Sequence, residues 1–493
     1  MVEHPFIYEL NTWVWLDELS ARHGGAIDLG SVPAAEWDAI AALGFDAVWL
    51  MGVWERSPAG IAIALQNDAL VETFREALPD VTDADVVGSP YCIRDYTVAA
   101  HLGGAKGLRS ARKALRESGL RLILDFVPNH VAPDHPWTEG HPEYFVQGDE
   151  GDLERDPASF VRVGERVLAN GRDPFFPAWP DVVQLNAFSP DLRAAALETV
   201  GWIADQCDGV RCDMAMLMMN DVFERTWGGR GGARPADDYW PTVIGAVKER
   251  HPDFVVLAEA YWDLEYALQQ QGFDYCYDKR LYDRLEHEGA DAVYGHLTAD
   301  LGYQTGLVRF IENHDEPRAA ASFPPAKARA AAVTTLSQTG ARLVHDGQLE
   351  GRKVHLPVFL SRRPDEQPDS DLGAFYDGLL GALRDPVFRE GTWQLGARSG
   401  WEGNDTWHDL VAWGWRDDRP RKLVIVNLAD APSAGHVSLP WDDLRGRTWR
   451  LSDALSDAVY ERSGDDLRDG LYIALDPWSS NLLDLTPLDP PEG

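Results

Sequence analysis

"GVRCDMAML", Gly209 to Leu217, decides how the rest of the chain is read. Its front half has the composition of a buried strand, yet Arg211 and Asp213 stand two residues apart inside it. Side chains alternate faces along a strand, so these two point the same way. Charged groups are put inside a protein only when they are paired or used. The segment therefore asks whether the pair is structural or chemical, and the answer depends on what flanks it.

Working outward, apolar strand-like runs alternate with helical stretches on both sides. "PFIYELNTWVWL", "FDAVWLMGVW", "LRLILDFVPNH", "DGVRCDMAML", "DFVVLAEAYW", "FDYCYD", "GLVRFIENHD" and "ARLVHDG" make eight strand candidates. "AEWDAIAALG", "AKGLRSARKALRESG", "DLRAAALETVGWIADQ", "WPTVIGAVKERH", "DLEYALQQQG" and "AKARAAAVTTLSQTG" are helical segments between them. Eight alternations without a glycine-rich dinucleotide turn predict an α/β fold, a closed (β/α)8 TIM barrel rather than an open doubly wound sheet. About 50 residues from His130 to Leu185, rich in Pro, Gly, Asp and aromatics, interrupt the alternation after the third strand. A loop of that length is read as a small inserted domain, residues 131–185. Beyond Gly400, "WHDLVAWGWRD", "RKLVIVNLA", "GRTWRLSDAL" and "GLYIALDPWSSNLLDL" read as short strands with no helices between them. They predict a C-terminal antiparallel β-sandwich over 400–493, leaving 1–399 to the barrel and its insertion.

Composition narrows the function classes. A chain of 493 residues with 45% hydrophobic content can bury a large core, and its formal charge of −35 argues against nucleic acid and anionic membrane surfaces as partners. "MVEHPFIYEL" has no basic start followed by an apolar stretch, and no apolar run is long enough to span a bilayer. Cys92, Cys207, Cys212 and Cys276 show no paired metal spacing and are expected to be buried thiols in a reducing, cytoplasmic setting.

Polar residues at the C-terminal ends of barrel strands read as catalytic. Here strand three ends in "DFVPNH" with Asp125, Asn129 and His130, and strand four in Arg211 and Asp213. Strand five ends in "LAEAYW" with Glu259, and strand seven in "FIENHDEPR" with Asn313, His314 and Asp315. An Asp at one strand end is ordinarily a helix cap or an ion-pair partner. Three carboxylates, an Arg and two His on successive strands of one barrel are a different matter. Cleavage of a glycoside with retention needs a carboxylate nucleophile and a second carboxylic acid about 5–5.5 Å away. A cation beside the nucleophile keeps it ionised, and a third carboxylate raises the acid's pKa and steadies positive charge on the sugar.

These ordered segments resemble the conserved regions of the α-amylase family, glycoside hydrolase family 13, and "GSPYCIRDYTV" resembles the stretch whose Tyr stacks on the sugar at the point of cleavage. The likeness extends over the barrel, the insertion and the C-terminal β-domain. It implies that Asp213 is the nucleophile, Arg211 its ionising neighbour, Glu259 the general acid and then base, and Asp315 the group that stabilises the distorted ring. It further implies that His130 and His314 bind sugar hydroxyls and that Tyr91 stacks on the ring. Asp125 is expected to brace Arg211. Trp262, three residues after Glu259, is expected on the rim where a leaving-group sugar would sit, while Trp413 and Trp415 are expected in the core of a sandwich strand.

No cofactor or metal is expected. Asn129 matches a position that helps hold calcium in many family amylases, but the acidic run Asp149 to Asp156 shows no ligand spacing to support an ion. The expected partner is an oligosaccharide or small glycoside, with oligomeric state left open. The activity implied is hydrolysis of α-linked glucose oligosaccharides or small α-glucosides. Transglycosylation and phosphorolysis stay open beside it, since they differ only in whether water, a sugar or phosphate attacks second. A non-catalytic scaffold would be expected to have lost a carboxylate, and all three are present. In starch-degrading relatives the nucleophile segment continues into a Lys-His pair; here Met216 and Leu217 stand in those positions. Either they pack the following helix, or they make the leaving-group side apolar, which would favour short substrates over polymer.

Overall fold

A computed structural model describes residues 2–417 and 421–488. All eight strand candidates form strands: β1 (Phe6–Asn11), β2 (Ala47–Met51), β3 (Arg121–Phe126), β4 (Gly209–Cys212), β5 (Val255–Ala258), β6 (Tyr275–Tyr277), β7 (Leu307–Arg309) and β8 (Ala341–His345). They close into a parallel barrel in sequential order, β8 pairing with β1 through Phe6↔Arg342 to Glu9↔His345. β1, β2, β4, β5, β6, β7 and β8 are buried along their whole length, as strands covered on both faces must be. Helices Gly104–Glu117, Pro190–Ala204, Tyr239–Arg250 and Pro325–Leu336 cover the outside.

Two excursions leave the C-terminal rim. After β2 the chain forms Trp54–Arg56, two helices (Pro58–Gln66 and Asp68–Ala77), and a return strand Ile93–Val98 antiparallel to Trp54–Arg56. Tyr91 stands just before that return strand, so it reaches the rim from this excursion and not from β2 itself. After β3 the insertion builds a four-stranded sheet ordered His130–Val131, Trp179–Gln184, Arg166–Gly171, Phe160–Val163. Val131, Tyr144, Phe145, Leu168, Val183 and Leu185 form its own small core, shared with Leu192 at the start of the following helix.

The C-terminal region has a six-stranded antiparallel sheet and a three-stranded one. The larger sheet takes its first strand from Thr392–Leu395, ahead of residue 400, because that segment pairs with Leu410–Arg416. Leu410, Ala412, Leu423, Ile425, Val437 and Ile473 lie between the two sheets. Trp413 and Trp415 are fully buried, but on the opposite face of their strand, against the barrel. Their indole N–H groups donate to Ser337 O at 3.0 and 2.7 Å, satisfying a carbonyl at the end of helix Pro325–Leu336. The four cysteines are buried and unpaired. Among the described residues no helix is long and apolar enough to cross a membrane.

Candidate active site

The register that pairs Cys212 with Ala258 sets Asp213 and Glu259 side by side at adjacent strand ends. Main-chain bonds continue past the strands: Asp213 N donates to Phe126 O at 2.9 Å, Glu259 N to Cys212 O at 3.0 Å, and Ala215 N to Glu259 O at 3.2 Å. Both carboxyls are buried, and Arg211, 1% exposed, lies between them. Its Nη1 is 2.8 Å from Asp213 Oδ1 and its Nη2 is 2.9 Å from Glu259 Oε2. Asp315 Oδ2 is 4.0 Å from the same Nη2. Aromatic rings enclose the guanidinium, with Tyr91 at 4.9 Å, Trp49 at 5.3 Å and Tyr277 at 5.8 Å.

Desolvation raises both carboxyls. Burial pushes Glu259 up to about 7 against the pull of Arg211, with the charges of Asp213 and Asp315 adding to the rise. Asp213 is raised to about 6, burial again winning over Arg211, which is both its ion-pair and its hydrogen-bond partner. Glu259 accepts two hydrogen bonds, from Met214 N to Oε2 at 2.6 Å and from the Tyr261 hydroxyl to Oε1 at 2.9 Å. Burial raises both carboxyls and their charges act on each other, so the pair titrates as a unit that can hold one proton between two acids.

His314 lies between two anions. Its Nδ1 is 2.5 Å from Glu9 Oε1, and its Nε2 is 3.0 Å from Asp315 Oδ2 and 2.6 Å from the Tyr91 hydroxyl. Burial alone would depress its pKa, but Asp315 and Glu9 outweigh it and raise His314 to about 10. For Asp315 the desolvation penalty is overcome by that imidazolium, which holds the carboxyl down to about 2. His130 is the opposite case. Burial lowers it to about 3, leaving a neutral ring whose Nε2 is 3.9 Å from Asp213 Oδ2.

Tyr91, His130, Arg211, Asp213, Glu259, His314 and Asp315 therefore form one connected cluster. Trp262, which lines a cavity with Met214 and Tyr261, has a left-handed backbone, φ 63°, shared by Asp263 at φ 62°. Left-handed backbone in consecutive non-glycine residues is uncommon and marks a turn held by its surroundings; here Arg280 grips Asp263. Glu9 is the member that sequence reasoning missed. Its signal was a fully apolar-flanked carboxylate in "FIYELN", and the strand buries it completely.

Three further positions take definite places. Asp125 stands opposite Arg211 in the register of β3 and β4 and accepts from Trp49 Nε1 at 3.1 Å and Gly52 N at 3.0 Å, so it braces Arg211 by its charge and by holding the Trp49 ring, without a direct ion pair. Asn129 is committed to Gln184, whose Nε2 donates to Asn129 Oδ1 at 2.8 Å and to its main-chain O at 3.0 Å. Asn129 is thereby held in an amide pair with Gln184. Met216 and Leu217 are 0% and 2% exposed inside the main core, so they pack the helix that follows and cannot touch a substrate. The residue that does face the pocket is Met214, which adopts a left-handed turn, φ 43°, immediately after Asp213.

The "Alpha amylase, catalytic domain" family matches residues 34–414. The chain belongs to the α-amylase family. A relative, "Alpha-amylase MalA" of Haloarcula japonica, is 25% identical over 82% of this chain and 52% of its own length. An "Alpha-1,4-glucan:maltose-1-phosphate maltosyltransferase" of Picrophilus torridus is 23% identical over 40% of the chain and 28% of its own length. The chain thus spans about half, or less, of these curated relatives. The fold is shared with the "noncanonic maltogenic alpha-amylase AmyB" of Thermotoga neapolitana, at a TM-score of 0.68 and 20% identity over 98% of each chain.

Proposed function

We propose that the chain is a retaining α-glycosidase that hydrolyses α-linked glucose oligosaccharides or small α-glucosides. One observation carries the reading: Arg211 bridges Asp213 and Glu259, set side by side at adjacent strand ends, where burial raises both carboxyls. In this mechanism an Asp213 oxygen bonds to the anomeric carbon as the glycosidic bond breaks, and Glu259 delivers its proton to the departing oxygen. Water then attacks the same carbon, gives its proton to Glu259 and returns the electron pair to Asp213. Asp315, held ionised by His314, faces the positive charge that builds on the sugar ring.

Transfer to a sugar acceptor in place of water is the second reading. It is favoured by relatives described as a maltosyltransferase and, in Pimelobacter sp., as a "Trehalose synthase" 25% identical over 34% of this chain. Four buried, unpaired thiols support a cytoplasmic setting, where they would stay reduced. The test is a screen of maltose, maltooligosaccharides, isomaltose, sucrose, trehalose and starch, with the first-formed anomer read by proton NMR. α-Anomer release from an α-linked substrate supports the reading; β-anomer release, or no turnover of any of them, overturns it.

A further inference from the structure

In the ring of strands β8 and β1 lie opposite β4 and β5. The departing group leaves on the Glu259 side, so the bound sugar extends from its anomeric carbon toward Tyr91, His314 and Asp315. In a maltose-type chain the next unit hangs on the hydroxyl across the ring from the anomeric carbon. A second sugar on the glycosyl side would therefore have to pass over β8 and β1.

Two rim loops meet across that passage. The loop after β8, residues 346–369, forms an antiparallel bridge with the excursion after β2 at Leu360 and Val86. Val87 N donates to Phe359 O at 2.8 Å and Ser361 N to Asp85 O at 2.9 Å. Phe74, Leu78, Val86 and Leu360 are buried together around the bridge. Arg362 pairs with Asp85 at 2.7 Å and with Asp80 at 3.2 Å. Arg56, 6% exposed, donates from Nη1 to Gly88 O at 2.6 Å and to Val358 O at 3.2 Å, so a buried guanidinium joins the two loops. A main-chain bridge, an apolar cluster and charge-assisted bonds together make a fixed wall and not a loose flap.

The wall runs into the reaction site. Gly88 is three residues from Tyr91, and Val358 three from His355. The Tyr91 hydroxyl is 2.6 Å from His314 Nε2, and His355 Nε2 donates to His314 O at 2.9 Å. His314 is thus held from both loops. The loop after β8 is also anchored to β1 and the helix behind it: Arg363 pairs with Glu18 and lies 2.8 Å from Asp346, whose Oδ1 accepts from the Tyr8 hydroxyl at 3.1 Å. Parting the two loops to admit a chain would break these contacts together.

We infer that the seam between the loop after β8 and the excursion after β2 closes the glycosyl side behind one sugar unit, so that the enzyme takes single glucosyl groups from non-reducing ends and does not cut within a chain. The inference rests on the retaining reading above and specifies its mode of attack.

The experiment uses the full chain with nitrophenyl α-glucoside, nitrophenyl α-maltoside, the same maltoside blocked by a benzylidene group on its outer sugar, and maltoheptaitol. A one-unit site is expected to release nitrophenol from the glucoside at once, from the maltoside only after a lag in which glucose is removed, and from the blocked maltoside not at all. Glucose and maltohexaitol are the expected first products from maltoheptaitol, with glucose exceeding maltose by about tenfold or more, the scale on which a pocket discriminates. Arg56→Met combined with Arg362→Ala removes side-chain ties of the seam and is expected to permit direct release from the blocked maltoside. If that variant does not fold, the substrates on the unchanged chain decide alone. Immediate release from the maltoside, maltose as the leading first product, or a folded double variant still inert on the blocked maltoside would overturn the closed seam while leaving the retaining reading intact. No turnover of any substrate, or β-glucose formed first, would overturn both.

Discussion

Nη2 of Arg211 lies 2.9 Å from Oε2 of Glu259, the carboxyl that the proposed mechanism asks to carry a proton. The contact would by itself favour the ionised form. Desolvation and the charges of Asp213 and Asp315 outweigh it, leaving Glu259 at about 7 and Asp213 at about 6. Acid and nucleophile are thus coupled through one guanidinium and separated by their surroundings.

The first consequence is a narrow pH optimum. The coupled pair titrates around 6 to 7, so kcat/KM should fall on the acid side as both carboxyls become protonated and on the alkaline side as both lose their protons. A pH profile on an unactivated glucoside is expected to be bell-shaped with its maximum between those values. On a dinitrophenyl α-glucoside, whose leaving group needs no proton, the alkaline limb should flatten. A limb that persists unchanged would contradict the assignment of Glu259 as the acid.

Glu259→Gln separates acid from nucleophile in another way. The amide keeps the contacts with Tyr261 and Met214 but cannot donate the required proton. Loss on unactivated saccharides is expected to be on the order of 10²–10⁴-fold in kcat/KM, with a much smaller loss on activated aryl glucosides. Equal losses on both classes would sink the role.

Glu9 is expected to act through His314. Two anions raise the imidazolium to about 10, so it contributes stability that is complete below its ordinary 6.5 and is lost as pH rises through 10. Glu9→Gln removes one anion, so His314 should release its proton at lower pH. Nitrogen-15 NMR of the imidazoles, with His314→Asn to assign the signal, reads that shift directly. An unmoved titration would show that Glu9 only fills space.

Calcium should be dispensable, because both Asn129 oxygens accept from Gln184. Prolonged treatment with EDTA is expected to leave kcat/KM and the thermal transition unchanged. Loss of activity that calcium restores would contradict the hydrogen-bond assignment at Asn129.

The sequence exposed the parts of the site that obey strand periodicity. Arg211 and Asp213 share a face because they are two apart on one strand, and Glu259 joins them because β5 pairs with β4 in register. Residues set by loop geometry were harder to see. Met214 faces the site only because its backbone turns left-handed, which no pattern of apolar spacing encodes, and the same turn carries Met216 and Leu217 into the core. Glu9 looked like one polar residue in an apolar strand until β1 and the loop after β7 met across the barrel. Trp413 and Trp415 were legible as buried, but which neighbour buries them depends on how the C-terminal sheet docks, a tertiary fact.

The central claim is that Asp213 forms a bond to the sugar. Asp213→Asn should lower kcat by about 10⁴-fold or more while retaining the native circular dichroism spectrum, since Arg211 keeps Glu259 as a partner. More direct is incubation with 5-fluoro-α-glucosyl fluoride, followed by intact mass measurement and peptide mapping. One added 5-fluoroglucosyl group on the peptide holding Asp213, absent in Asp213→Asn, is the predicted result. No adduct, together with a first-formed product of inverted configuration, would contradict the covalent mechanism.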